Sequence, residues 1–281
     1  GEIVGSSSTK SDGGHAFFRT ADGRMLDIGD FSAEDVNAAG QVVGFRVVPS
    51  PAGNVAYAVF WSASTGIIEL GEGVARSIND LGQIVGSASG SAGVAGAAFW
   101  PSAHESPVGL GGSDAQGINN DGVVIGYRND GGAQVPVRWR NVAGMWVMED
   151  LSASRYTSAF RINIHGDGTG GGCPALDDGG CLESHAFLWP ASGGEIRLAS
   201  LGGSRRHGYG INDNRDVVGF ATNSGGKQRA VIWPAGGGVA DLGLIRGAAQ
   251  GEARDINSRG VIVGENWLNS GRDRAVMWTP R

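Results

Sequence analysis

Eight residues combine ligand-binding chemistry with positions that do not recur along the chain: Arg155, Tyr156, Arg205, Arg206, His207, Tyr209, Arg254 and Trp267. Guanidinium forks and aromatic faces together bind planar groups bearing hydroxyls or carboxylates, so sugars and uronates are the ligand class they imply. Arg206, His207 and Tyr209, or a carboxylate pair, would be the means of a hydrolase or lyase acting on polysaccharide. However, no G-x-S-x-G, H-E-x-x-H or P-loop segment occurs, so binding is favoured over catalysis and no catalytic residue is assigned.

Cys173 and Cys181 are the only cysteines and stand close together in GGCPALDDGGC. They form either a local disulfide or two free thiols; the disulfide is favoured and points to an oxidising compartment, extracellular or periplasmic. A zinc centre usually takes four clustered ligands. Asp167, Asp177 and Asp178 are too few and too unpatterned for calcium, so no metal or cofactor is expected.

The bulk properties narrow the partners. Net charge is −6 and no basic run exceeds Arg205-Arg206, which leaves no electrostatic footprint for nucleic acid or an anionic membrane. No apolar stretch reaches the length of a membrane span, and no charged and then apolar leader opens the sequence, so any signal peptide is expected to have been removed already. Glycine is in excess, 51 of 281 residues, without a G-X-Y period; that many glycines imply many tight turns.

The elements that must position these residues come from an internal repeat. One segment reads VNAAGQVVG (Val36 to Gly44), INDLGQIVG (Ile78 to Gly86), INNDGVVIG (Ile118 to Gly126), INDNRDVVG (Ile211 to Gly219) and INSRGVIVG (Ile256 to Gly264). GEIVG at Gly1 to Gly5 is its tail, and INIHGDGTG at Ile162 to Gly170 is a degenerate copy. The closing glycines are spaced by 39, 42, 40, 44, 49 and 45 residues, a propeller-blade period. An aromatic segment follows each, from HAFFR at His15 to RAVMW at Trp278, and then a segment of the MLDIG or VADLG kind.

All are short, rich in Val, Ile, Phe and Trp, and bounded by turn residues, so they read as strands. Each repeat supplies four: A ending at Ile-Asn, B at the VVG segment, C at the aromatic segment and D at the DLG segment. Asn at the first position of a type I turn and Gly at the fourth suit a tight A-to-B hairpin. The expected architecture is all-β: one propeller domain over 1–281, built of four-stranded blades, with a Cys-containing insertion at 165–184. The recurring tryptophans are assigned to packing between blades, and His15 and His185 to strand packing.

HAFLW at His185 to Trp189 and INDLGQIVG at Ile78 to Gly86 resemble the HAF repeat family of extracellular bacterial proteins, and the resemblance covers nearly the whole chain. It implies a secreted repeat protein and carries no established activity or catalytic residue. The sequence departs from it where the His-Ala-Phe slot reads VPVRW and the VVG slot GDGTG.

Successive strands reverse direction, so A-to-B and C-to-D turns share one face, and B-to-C and D-to-A loops the other. Only the second face varies in loop length, and a glycan or protein ligand is expected there. The residue two before each Ile-Asn (or, in one copy, Val-Asn), namely Glu34, Arg76, Gln116, Phe160, Tyr209 and Arg254, is expected on the innermost strand, lining a channel. Seven B, seven C, six D and six A strands favour seven blades over six, with the first lacking A and the last lacking D. Residues before Gly1, or self-assembly through these incomplete blades, would complete them.

Overall fold

The computed structural model describes residues 1–8, 14–51, 53–90, 93–152, 154–173, 181 and 183–280. Among them there are strands and turns and no helix, as the short Val-, Ile-, Phe- and Trp-rich segments bounded by turn residues predict. By its internal contacts the chain divides into two compact units, Gly1–Val124 with Trp139–Met148, and Ile125–Arg138 with Glu149–Arg281.

The first unit opens with β1 (Ile3–Ser8), β2 (Gly14–Arg19) and β3 (Met25–Gly29), a three-stranded sheet in that order. Next come β4 (Ser32–Val36), β5 (Val42–Val48), β6 (Val55–Ser62), β7 (Gly66–Ile78), β8 (Ile84–Ser89), β9 (Ala95–Trp100) and β10 (Val108–Gly109), joined into one antiparallel sheet in sequence order. This sheet holds two repeats, because β7 is D strand and A strand in one run: Ile67 to Glu72 pair with β6 and Gly73 to Ile78 with β8. The fourth repeat supplies β11 (Asp114–Ile118), β12 (Val124–Asp130), β13 (Ala133–Val142) and β14 (Met145–Asp150); the chain passes between the units within it.

The second unit continues with β15 (Thr157–Ile162), β16 (Gly168–Gly172), β17 (His185–Trp189) and β18 (Ile196–Arg197) in one sheet, and β19 (Gly202–Ile211), β20 (Val217–Asn223), β21 (Gln228–Trp233) and β22 (Ala240–Asp241) in the next. It closes with β23 (Ala248–Ile256), β24 (Ile262–Leu268) and β25 (Asp273–Trp278), again three strands. Thus β16 is a regular buried strand, and the insertion begins at Cys173 rather than at residue 165.

Each core cluster spans two successive repeats. Trp100 packs with Val43 and Phe60 of the repeat before it, and Trp233 with Ala186 of the repeat before it. Trp100, Trp139, Trp189 and Trp233 are fully buried, and the indole N–H groups of Trp100 and Trp233 donate to Leu70 O and Ala199 O of the preceding repeat. Trp100 and Trp233 are therefore packing residues, one end apolar and the other hydrogen-bonded, whereas the equally buried indole N–H of Trp139 has no hydrogen-bond partner among the described residues.

The Ile-Asn turns do more than reverse the chain. Asn79 Oδ1 accepts from the amides of Leu81 and Gln83, closing its own hairpin, while Asn79 Nδ2 donates to Asn119 O at 3.0 Å. Asn37 does the same toward Asn79 O, and Asn163 toward Asn212 O. A row of turns is stapled repeat to repeat within each unit. Gly40, Gly82, Gly122, Gly166 and Gly260 close these turns with φ of 70 to 84°, and in the remaining turn, at Asn212, Arg215 holds φ 67°.

Candidate functional site

The A strands carry a feature the sequence pattern conceals. In β4, β7, β15, β19 and β23 the register skips between Ala33 and Asp35, Ala75 and Ser77, Ala159 and Arg161, Gly208 and Gly210, and Ala253 and Asp255. The extra residues are Glu34, Arg76, Phe160, Tyr209 and Arg254, which is the set expected two positions before Ile-Asn, with Gln116 at the same place in β11. A β-bulge leaves one residue unpaired and re-aims its side chain.

The cause lies on the partner strand. Opposite Ala33, Ala75, Ala159, Gly208 and Ala253 stand Gly44, Gly86, Gly170, Gly219 and Gly264. A Cβ at any of these glycines would meet the carbonyl oxygen of Ser32, Val74, Ser158, His207 or Glu252 at 1.9 to 2.2 Å. The closing glycine of each repeat thus lets the bulged backbone fold down onto strand B, and the bulge in turn presents a side chain that differs from copy to copy.

In the first unit the bulged side chains are polar. Arg76 reaches Glu34 at 3.6 Å and Asp114 at 3.5 Å, and Gln116 Nε2 donates to Asp114 Oδ2 at 2.8 Å. Burial pushes the Asp114 carboxyl up to about 6, against the pull of Arg76.

In the second unit they are aromatic and cationic. The rings of Phe160 and Tyr209 are 5.8 Å apart, and the Arg254 guanidinium lies 5.2 Å from the centre of the Tyr209 ring. Arg254 also bridges two carboxylates: it sits against Glu252 and donates to Glu265 Oε1 at 2.8 Å. Glu252 and Glu265 are directly opposed across β23 and β24. Gln228 Nε2 donates to Glu252 Oε2 at 2.7 Å. Burial pushes the Glu252 carboxyl up to about 7, Arg254 opposing and Glu265 adding to it. Burial likewise lifts the Tyr209 hydroxyl to about 12 and drives the His207 imidazole down to about 4. His207 is stacked on Phe220 at 5.3 Å. Room for it comes from the glycine-rich β16, since a Cβ at Gly171 would strike the His207 ring at 2.7 Å.

A pocket of about 360 Å³ opens at the start of these strands, lined by Arg205, Thr222, Asn223, Gln228 and Gln250 among others. Gln228 joins pocket and cluster, since its backbone N–H donates to Gln250 Oε1 and its side chain to Glu252. The β20–β21 turn and the beginning of β19 form the pocket, which is the B-to-C and D-to-A end of the strands.

The residues singled out from sequence separate into three groups. Arg205, His207, Tyr209 and Arg254 come together, but in strands β19 and β23 rather than in loops, because the chain enters β19 at Gly202. Trp267 is on β24, two residues beyond Glu265, and so shares its strand face. Arg206 turns to the opposite side: it is buried, donates to Leu198 O at 3.1 Å and contacts Glu183 and the His185 ring. Arg155 and Tyr156 sit at the head of β15, where Arg155 pairs with Asp130 at 3.2 Å and Tyr156 holds φ 57°. Of the acidic trio, Asp167 is fully buried and held by Arg215 at 2.7 and 3.0 Å; Asp177 and Asp178 lie outside the described residues. His15 pairs with Asp27 at a half-exposed position, whereas His185 is buried. Sequence reasoning did not anticipate the perturbed acidity of Glu252 and Asp114; the signal available was a carboxylate on the first strand of its sheet within two residues of the bulge position.

The cysteines are joined, with Cα atoms 5.8 Å apart and eight positions of sequence between them. This disulfide closes the segment between β16 and β17, on the same variable-loop side.

No known family profile matches this sequence, and no curated protein matches it. Solved structures do. The chain is similar to TolB from Acinetobacter baumannii at 13% identity and a TM-score of 0.51, over 98% of this chain and 79% of that one. It is similar to the acylaminoacyl peptidase of Pyrococcus horikoshii at 13% identity and a TM-score of 0.56 over 88% of this chain, and to an acylaminoacyl peptidase bound to Z-Gly-Gly-Phe-chloromethyl ketone at 12% and 0.55 over 89%. It spans 44% of either peptidase chain. At such identities the likeness concerns the fold alone: this is an all-β chain of antiparallel sheets of the propeller type.

Proposed function

We propose that this chain is a secreted propeller module that binds a hydroxyl- and carboxylate-bearing ligand, a glycan containing uronate residues, along the A strands, entering from the pocket at their B-to-C and D-to-A end. The observation that carries the reading is the bulged cluster of Phe160, Tyr209 and Arg254, with Glu252 and Glu265 beside it and the Arg205–Gln250 pocket leading to it. Bulges recur in the innermost strands, yet their side chains differ, which is what a rigid frame displaying one asymmetric site requires. Tyr209 offers a ring face, Gln228 and Gln250 offer amides, and Arg205 offers a cation that the two glutamates do not hold. The disulfide fits an extracellular or periplasmic setting. The repeat spacing fits seven blades and a place beside the HAF repeat proteins.

A second reading has its own observation. Two carboxyls face each other, and one of them, Glu252, keeps its proton to about pH 7, as a general acid must. That suits a polysaccharide hydrolase or lyase on the same side. A glycan array run beside reducing-sugar and unsaturated-uronate assays tests both readings. Retention of acidic glycans without product supports the binding module, product lost in Glu252→Gln supports the enzyme, and neither retention nor product overturns both.

A further inference from the structure

One wall of the pocket is not held by the sheet it belongs to. Ser204 and the exposed Arg205 line the pocket from β19, yet between Gly202 and Arg206 the pairing of β19 with β20 skips, leaving three residues opposite Thr222 alone. In place of the ladder, Thr222 Oγ1 accepts from Arg205 N at 3.0 Å and donates to Arg205 O at 3.2 Å. The other edge is taken by Ser184, just before β17: its N–H donates to Ser204 O at 3.1 Å and its carbonyl accepts from Arg206 N at 3.2 Å, so that it brackets Arg205. One repeat further on, the same junction is made through a side chain. There Gln228 N donates to Gln250 Oε1, and Gln250 stands where Arg205 does, seven positions before the turn Asn. The repeat by itself therefore does not demand a main-chain clamp.

Ser184 is delivered to β19 by the disulfide. Cys173 is buried and extends the β15–β16 pairing, its N–H donating to Tyr156 O at 3.0 Å. The bridge brings Cys181 to the same place, and only two positions separate Cys181 from Ser184. Glu183 O lies against both sulfurs, at 3.4 and 3.6 Å, while Glu183 Oε1 accepts from Arg206 Nη1 at 3.4 Å. Arg206 is anchored further on Leu198 O and the His185 ring. Alternation along β19 turns Arg206 toward this anchor and Arg205 toward the pocket. An unbridged insertion would lose closure entropy each time Ser184 docked, and the bridge removes that freedom beforehand. All of these residues belong to the second unit.

We propose that the Cys173–Cys181 disulfide is a positioning device for the ligand pocket: through Glu183 and Ser184 it fixes the backbone from Ser204 to Arg206, and so aims the Arg205 guanidinium at the carboxylate of a uronate. A cation held in place binds a carboxylate more tightly than a mobile one, because less loop and side-chain freedom is lost on binding. The choice of ligand rests on the uronate reading above, whereas the link from disulfide to β19 rests on the hydrogen bonds alone. A bridge serving stability only would leave affinity at Arg205 untouched.

The test compares the wild type with the Cys173→Ser/Cys181→Ser protein by residue-resolved amide exchange without ligand, and by calorimetric titration of tri-galacturonate. Expected are exchange faster by about tenfold at the Ser184 and Arg206 amides, with the β20–β21 ladder unaltered, and binding weaker by about tenfold. Arg205→Ala should weaken binding by a similar factor, and adding it to the cysteine variant should cost nothing further, because both losses pass through one guanidinium. If the cysteine variant does not fold, Glu183→Ala carries the test with the bridge intact, and both readouts should move the same way by about threefold. Unchanged exchange at Ser184 and Arg206, or losses that multiply when the variants are combined, would overturn the proposal. Tri-galacturonate that does not bind the wild type would overturn the uronate reading and the aim of Arg205 with it, while the exchange comparison still decides whether the disulfide holds β19.

Discussion

Two positions three residues apart on the same strands behave in opposite ways. The Asn of each Ile-Asn turn keeps its identity in all six copies, and in both units it performs one task, closing its hairpin and stapling the next. The bulged residue just upstream changes in almost every copy, Glu34, Arg76, Gln116, Phe160, Tyr209 and Arg254, although the backbone around it is repeated. The difference teaches that in a repeat protein sameness marks the frame. A frame position that varies while its geometry is held is where a ligand is accommodated.

The sharpest way to break that distinction is to attack the geometry that both positions share. Gly219→Ala would drive a methyl into His207 O, 1.9 Å from the ideal Cβ, at a buried strand pairing that cannot move aside. The expected loss is at least about 3 kcal/mol in denaturant unfolding, toward the upper end of overpacking costs. Gly226→Ala, with nothing within 4 Å of its Cβ but φ of +72°, should cost only about 1 kcal/mol of backbone strain. Equal losses would mean that close approach of strands A and B is not what the closing glycine secures.

Next in size is the staple itself. Asn79→Ala removes the two bonds its Oδ1 accepts from the Leu81 and Gln83 amides and the bonds its Nδ2 donates to Asn119 O and Gln83 Oε1, in a buried setting. A loss of about 2 kcal/mol is expected, with m-value unchanged. A loss below about 0.5 kcal/mol would reduce the turn row to simple hairpins.

These two outcomes also bear on how much of the molecule was readable from its sequence. The strands, the four-per-repeat order, the Asn turn and the disulfide were legible, because each rests on local chemistry: alternation, turn residues and two cysteines close in the chain. The bulges were not, although Ala or Gly recurs three positions before Ile/Val-Asn opposite the VVG glycine. Register across a pair is a two-strand property, and a one-strand pattern does not show it. Placement of Arg206 failed for a related reason. Alternation along β19 sends it away from Arg205, His207 and Tyr209, and four neighbouring polar letters conceal which face each takes. The raised pKa of Glu252 was not readable because it arises from burial beside Arg254, Gln228 and Glu265, and those last two lie 24 and 13 positions away in the chain.

A smaller effect separates the candidate site from the frame through pH. The folded Glu252 carboxyl keeps its proton to about 7 against an ordinary 4.5. Folding is therefore favoured by protonation here: the contribution is fully present below about pH 4.5 and is lost as pH rises through about 7. Asp114, raised to about 6 by burial, acts in the same direction, so the wild-type curve alone does not isolate Glu252. Glu252→Gln should gain on the wild type across this window, on the order of 1 kcal/mol at pH 8 relative to pH 5. Parallel stability curves for the two proteins would show that Glu252 ionises as readily folded as unfolded.

The smallest stability effect carries the largest functional weight. Tyr209 is packed through its ring, against Phe160, Phe220 and the Arg254 guanidinium, and the hydroxyl is lifted to about 12 by burial and so stays neutral at any working pH. Tyr209→Phe keeps the ring and should change stability by less than about 0.5 kcal/mol, as substitutions that create no cavity and leave no buried donor unpaired do. If the bulged side chain belongs to the frame, nothing else changes either. If it belongs to a glycan site, the lost hydroxyl removes one hydrogen bond to the ligand and weakens retention of acidic glycans by about fivefold to tenfold, while Tyr209→Ala, which also removes the ring face beneath Arg254, abolishes retention. A Tyr209→Phe protein that unfolds earlier by more than 1 kcal/mol yet retains the glycan unchanged would assign Tyr209 to the frame, and with it the rule that variation at a held bulge marks the site.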